Sequence, residues 1–298
     1  MNILLTGKNG QLGFELRRAL APLGNVTAVD FADCDLADSA AIRALIQRVQ
    51  PNVIVNPAAY TAVDKAETEI ALAHAINAVA PGILGQAAAA LSALVVHYST
   101  DYVFDGTKQG PYLESDTPNP QSVYGATKLA GEQALQASGA RHVIFRTSWV
   151  VGAHGGNFAK TMLRLASERT ELKIVCDQFG APTSAALLAD ISAHIIRQSA
   201  TCSASEMFPY GLYHLTASGV THWHEYACYI IEKARSTGLP VTVAPDAIRA
   251  VSTRDYPTTA RRPANSRLDT QKLCQTFGLN LPDWHEGIDY VLDQLLQQ

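Results

Sequence analysis

A doubly wound, parallel α/β sheet of Rossmann type is the fold this sequence predicts, with a smaller, interleaved α/β substrate domain. Three observations predict it. The chain opens on a short apolar run, Asn2-Ile3-Leu4-Leu5-Thr6, which leads into Gly7-Lys8-Asn9-Gly10-Gln11-Leu12-Gly13 and then a helical stretch through Leu20. Further apolar runs, Val53-Ile54-Val55-Asn56, Leu94-Val95-Val96-His97-Tyr98 and Val143-Ile144-Phe145-Arg146, recur between helical patterns, as buried parallel strands do. Polar residues follow these runs closely, where ligands bind in open parallel sheets. Residues 1–150 are expected to form the dinucleotide-binding domain, with parts of 181–235 returning to it, and 151–298 mainly the substrate domain.

Composition narrows the function classes. The 298 residues can bury a sizeable core, and 17% charged with 47% hydrophobic residues is a globular balance. A net charge of -4 argues against a general nucleic-acid or membrane-surface role. The five cysteines, Cys34, Cys176, Cys202, Cys228 and Cys274, are odd in number and lack any Cys-x-x-Cys pair. They read as thiols of a reducing compartment, with neither a disulfide framework nor a zinc site. Met1 leads into the first strand without the features of a signal peptide, so a cytoplasmic location is expected. The most apolar region, Gly82 to Val96, is too short to span a bilayer and reads as a buried helix running into a buried strand. No metal is expected.

In chain order, the turn comes first. Glycines at 7, 10 and 13 let the backbone approach a pyrophosphate, and the helix beginning near Gln11 and Leu12 offers free N–H groups and a positive dipole. The next strand, Val26-Thr27-Ala28-Val29, ends in Asp30. A carboxylate there accepts hydrogen bonds from the adenosine ribose and repels a 2′-phosphate, and no cation follows it through Leu36. NADH is therefore favoured over NADPH. Asp35 and Leu36 sit where a following strand would end and could border the adenine. Alternatively, Asp35 or Asp38 caps the helix from about Ser39 to Val49. The loop Pro57-Ala58-Ala59-Tyr60-Thr61 should pass the nicotinamide half, with Ala58 and Ala59 leaving room and Tyr60 beside them. Pro81 should kink or interrupt the long helical segment Glu67–Leu91, and Asn77 within it reads as a local polar contact.

The catalytic reading centres on Tyr124-Gly125-Ala126-Thr127-Lys128. Residues four apart on a helix share a face, so phenol and ammonium can point into one cleft. The cation and the helix N-terminus are expected to pull the tyrosine below its ordinary value of about 10. An amphipathic helix with a snorkelling lysine has the same pattern. Thr100, at the end of its strand, could bind a substrate carbonyl oxygen in the same crevice, although a threonine there is commonly only a turn residue.

The glycine turn, Thr100 and the Tyr124/Lys128 pair resemble the extended short-chain dehydrogenase/reductase superfamily. More narrowly, Asn56–Glu67, Ser99–Phe104, Arg146–Val150 and Asp177–Thr183 resemble the dTDP-4-dehydrorhamnose reductase family over essentially the whole chain. Pro57 departs from that pattern, where a small residue such as alanine is more usual, and implies a stiffer loop. The resemblance implies NAD(P)H-dependent reduction of the 4-keto group of a dTDP-linked 6-deoxy sugar. Tyr124 would be the proton donor, Thr100 would bind the same oxygen, and Lys128 would hold the nicotinamide ribose. For the nucleotide-sugar substrate it points to Thr100, Asp101, Trp149 and Asn157, and the three arginines of Arg261–Leu268 in an otherwise acidic chain make that loop a candidate for the nucleotide, for which Arg267 is taken. An arginine fork fits a diphosphate, whereas a solvated basic loop is the plainer reading. Trp149 reads equally as core packing. A homodimer is open. A sugar-nucleotide epimerase or dehydratase, and a non-catalytic NAD(P)-binding subunit, are the competing classes.

Overall fold

The computed structural model describes residues 1–202 and 207–296. Strand β1 (Asn2–Leu5), α1 (Gln11–Leu20), β2 (Asn25–Ala28), α2 (Ser39–Val49) and β3 (Val53–Asn56) alternate in order. No strand forms at Asp35–Leu36, contrary to expectation. Instead the chain after Asp30 turns on itself, with the N–H groups of Asp33 and Cys34 donating to the Asp30 carbonyl. Asp38 caps α2 by accepting from Ala40 N and Ala41 N.

After β3 come a short α3 (Val63–Ala66), α4 (Ile70–His74) and α5 (Ala80–Ala90), the last two joined by a π-helical turn at Ala75–Val79. Pro81 lies in the first turn of α5, directly beyond the π turn, where its missing N–H is tolerated. The run Ile70–Ala90 is long and apolar enough to cross a membrane by length and composition, but half of it is buried inside this protein. It packs as a core helix. Gly82 to Val96 runs from α5 into β4 (Leu94–Thr100), every residue of which is buried. Then follow α6 (Val123–Ala137), with Ser122 accepting from Gly125 N at its start, and β5 (Arg141–Thr147).

The later half contributes β6 (Val150–Val151), α7 (Phe158–Glu168), β7 (Leu172–Val175), β8 (Phe179–Gly180), β9 (Thr183–Ser184), α8 (Ala185–Thr201) and β10 (Gly211–His214). After these come β11 (Thr221–His222), α9 (Trp223–Ser236), β12 (Ile248–Val251), α10 (Gln271–Phe277) and α11 (Trp284–Leu296).

Six strands form one parallel sheet in the order β10-β5-β4-β3-β1-β2. The order reverses between β1 and β3, which opens a crevice at the carboxyl ends. Alternation of side chains along each strand builds the two faces. Ile3, Leu5, Val53 and Val55 pack with Leu12, Leu16 and Leu20 of α1 and Leu188, Ile195 and Ile196 of α8. Leu4, Ile54 and Val95 pack on the other face with Ile42 and Ile46 of α2 and Ile83 and Leu84 of α5. Each such side chain contributes about 1.5–3 kcal/mol on burial. A separate core joins α7, α9 and α11 through Met162, Tyr226, Ile230, Trp284 and Ile288.

One buried ion pair pins α6 to the sheet. Arg146 on β5 donates Nε to Glu132 Oε1 at 2.9 Å and a terminal nitrogen to Oε2 at 2.6 Å, with both side chains almost fully enclosed. Removing one partner leaves an uncompensated buried charge. Glu132→Leu is therefore expected to lower stability by about 3–5 kcal/mol in urea unfolding, and Glu132→Leu with Arg146→Met to recover part of it.

Candidate active site

The carboxyl ends of the strands converge on a cleft of about 420 Å³. Its walls include Gly7, Gly10, Gln11, Leu12 and Gly13 from the turn, Asp30, Ala58 and Ala59, and Tyr124 and Lys128 from α6. A neighbouring hollow of about 130 Å³ is lined by Asp30, Phe31, Asp35, Leu36, Ala58 and Ala59.

The turn fits a dinucleotide for steric reasons. Gly7 has φ +62°, and a Cβ on Gly13 would collide with the Gly7 carbonyl, so the first turn of α1 can lie this close only with glycine. Gly10 precedes α1 with no side-chain cap, which leaves its first N–H groups directed into the cleft. Asp30 accepts from Asn9 N at 2.8 Å and Phe31 N at 2.8 Å.

Lys8 places a cation here that the residues after Asp30 lack. Its Nζ lies 2.6 Å from Asp33 Oδ2, the same oxygen that accepts the Asp30 N–H. No cation follows Asp30 in sequence through Leu36; this one comes from the glycine turn, 25 residues before Asp33. Asn77 also does more than make a local contact. It accepts from Tyr60 N, donates to Tyr60 O and reaches Thr127 Oγ1 on α6, so it holds the loop carrying Ala58 and Ala59. Tyr60 itself donates its hydroxyl to Glu69 and does not line the cleft.

Tyr124 and Lys128 share a face, yet they are not hydrogen-bonded to each other. The Lys128 ammonium donates to the Tyr98 carbonyl at 2.6 Å and sits 3.5 Å from His97 Nε2. Burial pushes Lys128 down to about 8, opposed by Glu132. The expectation that Tyr124 would be lowered is reversed. Burial pushes its phenol up to about 12, with a hydrogen bond from Thr100 acting the other way. Enclosure decides the direction, the Asp101 charge adds to it, and the phenol is a protonated donor at neutral pH. Close packing of the helix start enforces this, because a Cβ on Gly125 would collide with the Tyr102 carbonyl and Tyr102 meets Tyr124 edge-on at 5.5 Å.

Thr100 is buried between two acceptors. Its hydroxyl donates to Asp101 Oδ1 at 3.0 Å, accepts from Tyr102 N at 3.2 Å, and is also within hydrogen-bonding reach of Tyr124. Burial pushes the Asp101 carboxyl up to about 6, against hydrogen bonds from Ser266 and Thr100.

A second cavity of about 430 Å³ lies between α7 and the later loops, lined by Tyr102, Phe158, Met162, Trp223, Tyr256 and Arg262 among others. Arg262, not Arg267, is the arginine at this wall. It donates to Asp64 Oδ2 at 2.5 Å and keeps one buried terminal nitrogen unpartnered. The Arg267 guanidinium holds Asn265 Oδ1 and the Gln109 carbonyl instead. Trp149 stacks on Trp223 at 3.7 Å and lies over Gly180, which is packing in the second core. Asn157 caps α7 and donates to Gln11 Oε1, which also accepts from Gly152 N. Two residues expected on different ligands thus meet each other.

A family model described as the RmlD substrate binding domain matches residues 1–297. The dTDP-4-dehydrorhamnose reductase of Shigella flexneri is 52% identical across 99% of this chain and 98% of its own length. The chain belongs to the dTDP-4-dehydrorhamnose reductase family. A member from Burkholderia thailandensis is 46% identical with complete coverage of both proteins. Among solved structures of the family, that from Clostridium acetobutylicum superposes with a TM-score of 0.89 at 39% identity, covering all of both chains. The Bacillus anthracis enzyme, solved in complex with NADP, gives 0.88 at 35% identity over 98% of each.

The raised Asp101 carboxyl sets a pH dependence. Because the folded state holds this proton more tightly than the unfolded chain, its contribution to stability is full at low pH and falls as pH rises through roughly 4 to 6. The stability advantage of wild type over Asp101→Asn should therefore shrink by about 2 kcal/mol between about pH 4 and about pH 7.5, read from urea midpoints.

Proposed function

We propose that this protein reduces the 4-keto group of dTDP-4-dehydro-L-rhamnose to give dTDP-L-rhamnose, using NADH or NADPH. The observation that carries the reading is the enclosure of a protonated Tyr124 and of Lys128 in the cleft beside the glycine turn, with the buried Thr100 hydroxyl in hydrogen-bonding reach of the phenol. Family membership supports the substrate. When bound, the reduced nicotinamide supplies a hydride.

The residues of this chain manage everything else. Gly7, Gly10, Gln11, Leu12 and Gly13 hold the pyrophosphate, Asp30, Asp35 and Leu36 border the adenosine, and Ala58 and Ala59 flank the nicotinamide half, in a loop that Tyr60 anchors to Asn77. Lys128 binds the nicotinamide ribose. Tyr124 gives its proton to the keto oxygen, a step worth about 10²- to 10⁴-fold. The single Thr100 proton serves two states. Facing a neutral phenol it rests on Asp101, and once Tyr124 has lost its proton it can turn to the phenolate, whose charge is otherwise poorly solvated here. Of the substrate candidates Asp101, Trp149, Asn157 and Arg267, Asp101 acts as the partner of Thr100, while Trp149 packs in the second core and Asn157 ties α7 to Gln11. For the diphosphate Arg262 is the better candidate, because it lines the second cavity with a buried terminal nitrogen unpartnered. The second core, within 151–298, is then the substrate half. A homodimer and a cytoplasmic location belong to the same proposal.

An epimerase or dehydratase would return its cofactor to the starting state. Elimination also needs a base beside Asp101, where this chain has Tyr102, and burial raises that phenol further. With purified protein and the dTDP-linked keto sugar, one NADH should be consumed per sugar reduced. Sugar conversion without matching loss of absorbance at the nicotinamide band overturns the reading. In the same assay Tyr124→Phe should lower kcat by about 10²- to 10⁴-fold with cofactor affinity nearly unchanged.

NADH should serve at least as well as NADPH, because Asp30 faces the ribose. Lys8 provides the means to accept a 2′-phosphate once it leaves Asp33. Lys8→Ala is expected to reduce kcat/KM for NADPH by about 10-fold and to leave NADH nearly unaffected. Equal losses with both cofactors would remove Lys8 from this role.

A further inference from the structure

A chain of buried polar groups runs beneath the cleft, across three neighbouring strands. It begins at Thr6, directly after β1, whose hydroxyl lies 2.6 Å from the Asn56 side-chain oxygen at the end of β3. The Asn56 amide nitrogen lies 3.1 Å from His97 Nδ1 on β4, its register partner. His97 Nε2 faces the Lys128 ammonium at 3.5 Å. All four side chains are at most 2% exposed. Such a chain in a parallel sheet, where apolar residues would pack at less risk, calls for a reason.

The chemistry of the end groups constrains the middle. An ammonium has donors only, so a ring nitrogen opposite it stabilises the charge only by presenting a lone pair. A neutral imidazole has one lone-pair nitrogen, so its proton must then sit on Nδ1, and Asn56 must offer its oxygen to it. A half-turn of the Asn56 amide supplies this and hands the amide nitrogen to Thr6 Oγ1, whose hydroxyl proton must then rotate away from Asn56. We propose that His97 is a positioning residue: locked by Asn56 and Thr6, it presents Nε2 to Lys128 and holds the ammonium charged and aimed into the cleft. This rests on the role given to Lys128 above. Burial and the Lys128 charge both keep His97 well below the usual imidazole range, so it stays neutral and able to accept.

The charged and titratable groups around this pair are few. Glu132 on α6 favours the ammonium but is committed to Arg146 of β5. Tyr124 lies one turn earlier on the same helix. From β4, Tyr98 contributes only its carbonyl, because its phenol is engaged with Ser192. Asp101, next to the end of β4, is turned to Thr100. Among the described residues, His97 is the sheet-side side chain within hydrogen-bond distance of the Lys128 ammonium.

Two measurements test this. In the wild-type protein at pH 7, the ¹⁵N shifts of His97, assigned by comparison with His97→Gln, should report the Nδ1–H tautomer with Nε2 unprotonated. An Nε2–H tautomer or an imidazolium overturns the proposal whatever the turnover, and independently of which sugar is reduced. In kinetics, His97→Leu should lower kcat by about 10- to 100-fold at pH 7 and move the alkaline limb of kcat/KM about one pH unit toward acid. His97→Gln, which can present a carbonyl oxygen, should recover most of the rate and the wild-type limb. Losses in both variants that track lowered Tm without moving the limb would show His97 to be structural only.

Discussion

An ammonium group held out of water is the constraint around which this molecule is built. Moving an isolated charge of this size into a protein interior costs several kcal/mol even after relaxation, so the surroundings of Lys128 must answer it from fixed positions. They do so with the Tyr98 carbonyl, the His97 ring and, one helical turn on, Glu132. Each requires α6 to lie close against the sheet. Two glycines allow that approach, since a Cβ on Gly125 would strike the Tyr102 carbonyl and one on Gly131 the Asn77 carbonyl. The Glu132–Arg146 pair fixes the helix at that depth. Helix, strand ends and π turn therefore form one unit, and Tyr124 inherits its enclosed position from it.

The parts of this unit that a one-dimensional reading captures are those set by local pattern. The glycine turn, the strands at β1, β3, β4 and β5, and the helix Ser39–Val49 all follow from apolar spacing and punctuation by glycine or a polar cap. The Asp35–Leu36 stretch escaped it, because a turn closed by Asp30 and a strand ending in an acidic residue look alike in sequence. What was hidden depends on separation along the chain. Lys8 meets Asp33, Asn77 meets Tyr60 and Thr127, and Arg262 meets Asp64, 198 residues away. The direction of the Tyr124 shift was hidden for another reason. Sequence names the neighbouring charge but not the degree of enclosure, and here enclosure is the larger effect.

Gln11 and Asn157 illustrate how the two halves are coupled. Each is expected at a ligand, and each lies in a stretch that borders the cleft. Yet Gln11, in the first turn of α1, accepts from both Gly152 N and the Asn157 amide, so the loop after β6 is tied directly to the pyrophosphate cradle. His154 stacks on Phe14 of the same helix at 4.4 Å and adds a second tie. Movement of this loop would therefore disturb the start of α1.

The same geometry limits which reactions the cleft can support. Enclosure acts on Tyr102 and Tyr124 alike, raising both phenols, so each is a proton donor and neither is a base at neutral pH. Asp101 is the available carboxylate, but its oxygen Oδ1 is occupied by Thr100 and its backbone is held by the turn at the end of β4. A site that must remove a proton from carbon would need one of these groups ionised and free to move. A site that has only to deliver one proton to an oxygen needs a phenol kept neutral, a hydroxyl ready to stabilise the resulting phenolate, and a nearby cation. Thr100 and Lys128 supply those two, and desolvation, which would defeat a base in this position, is what keeps the acid charged with its proton.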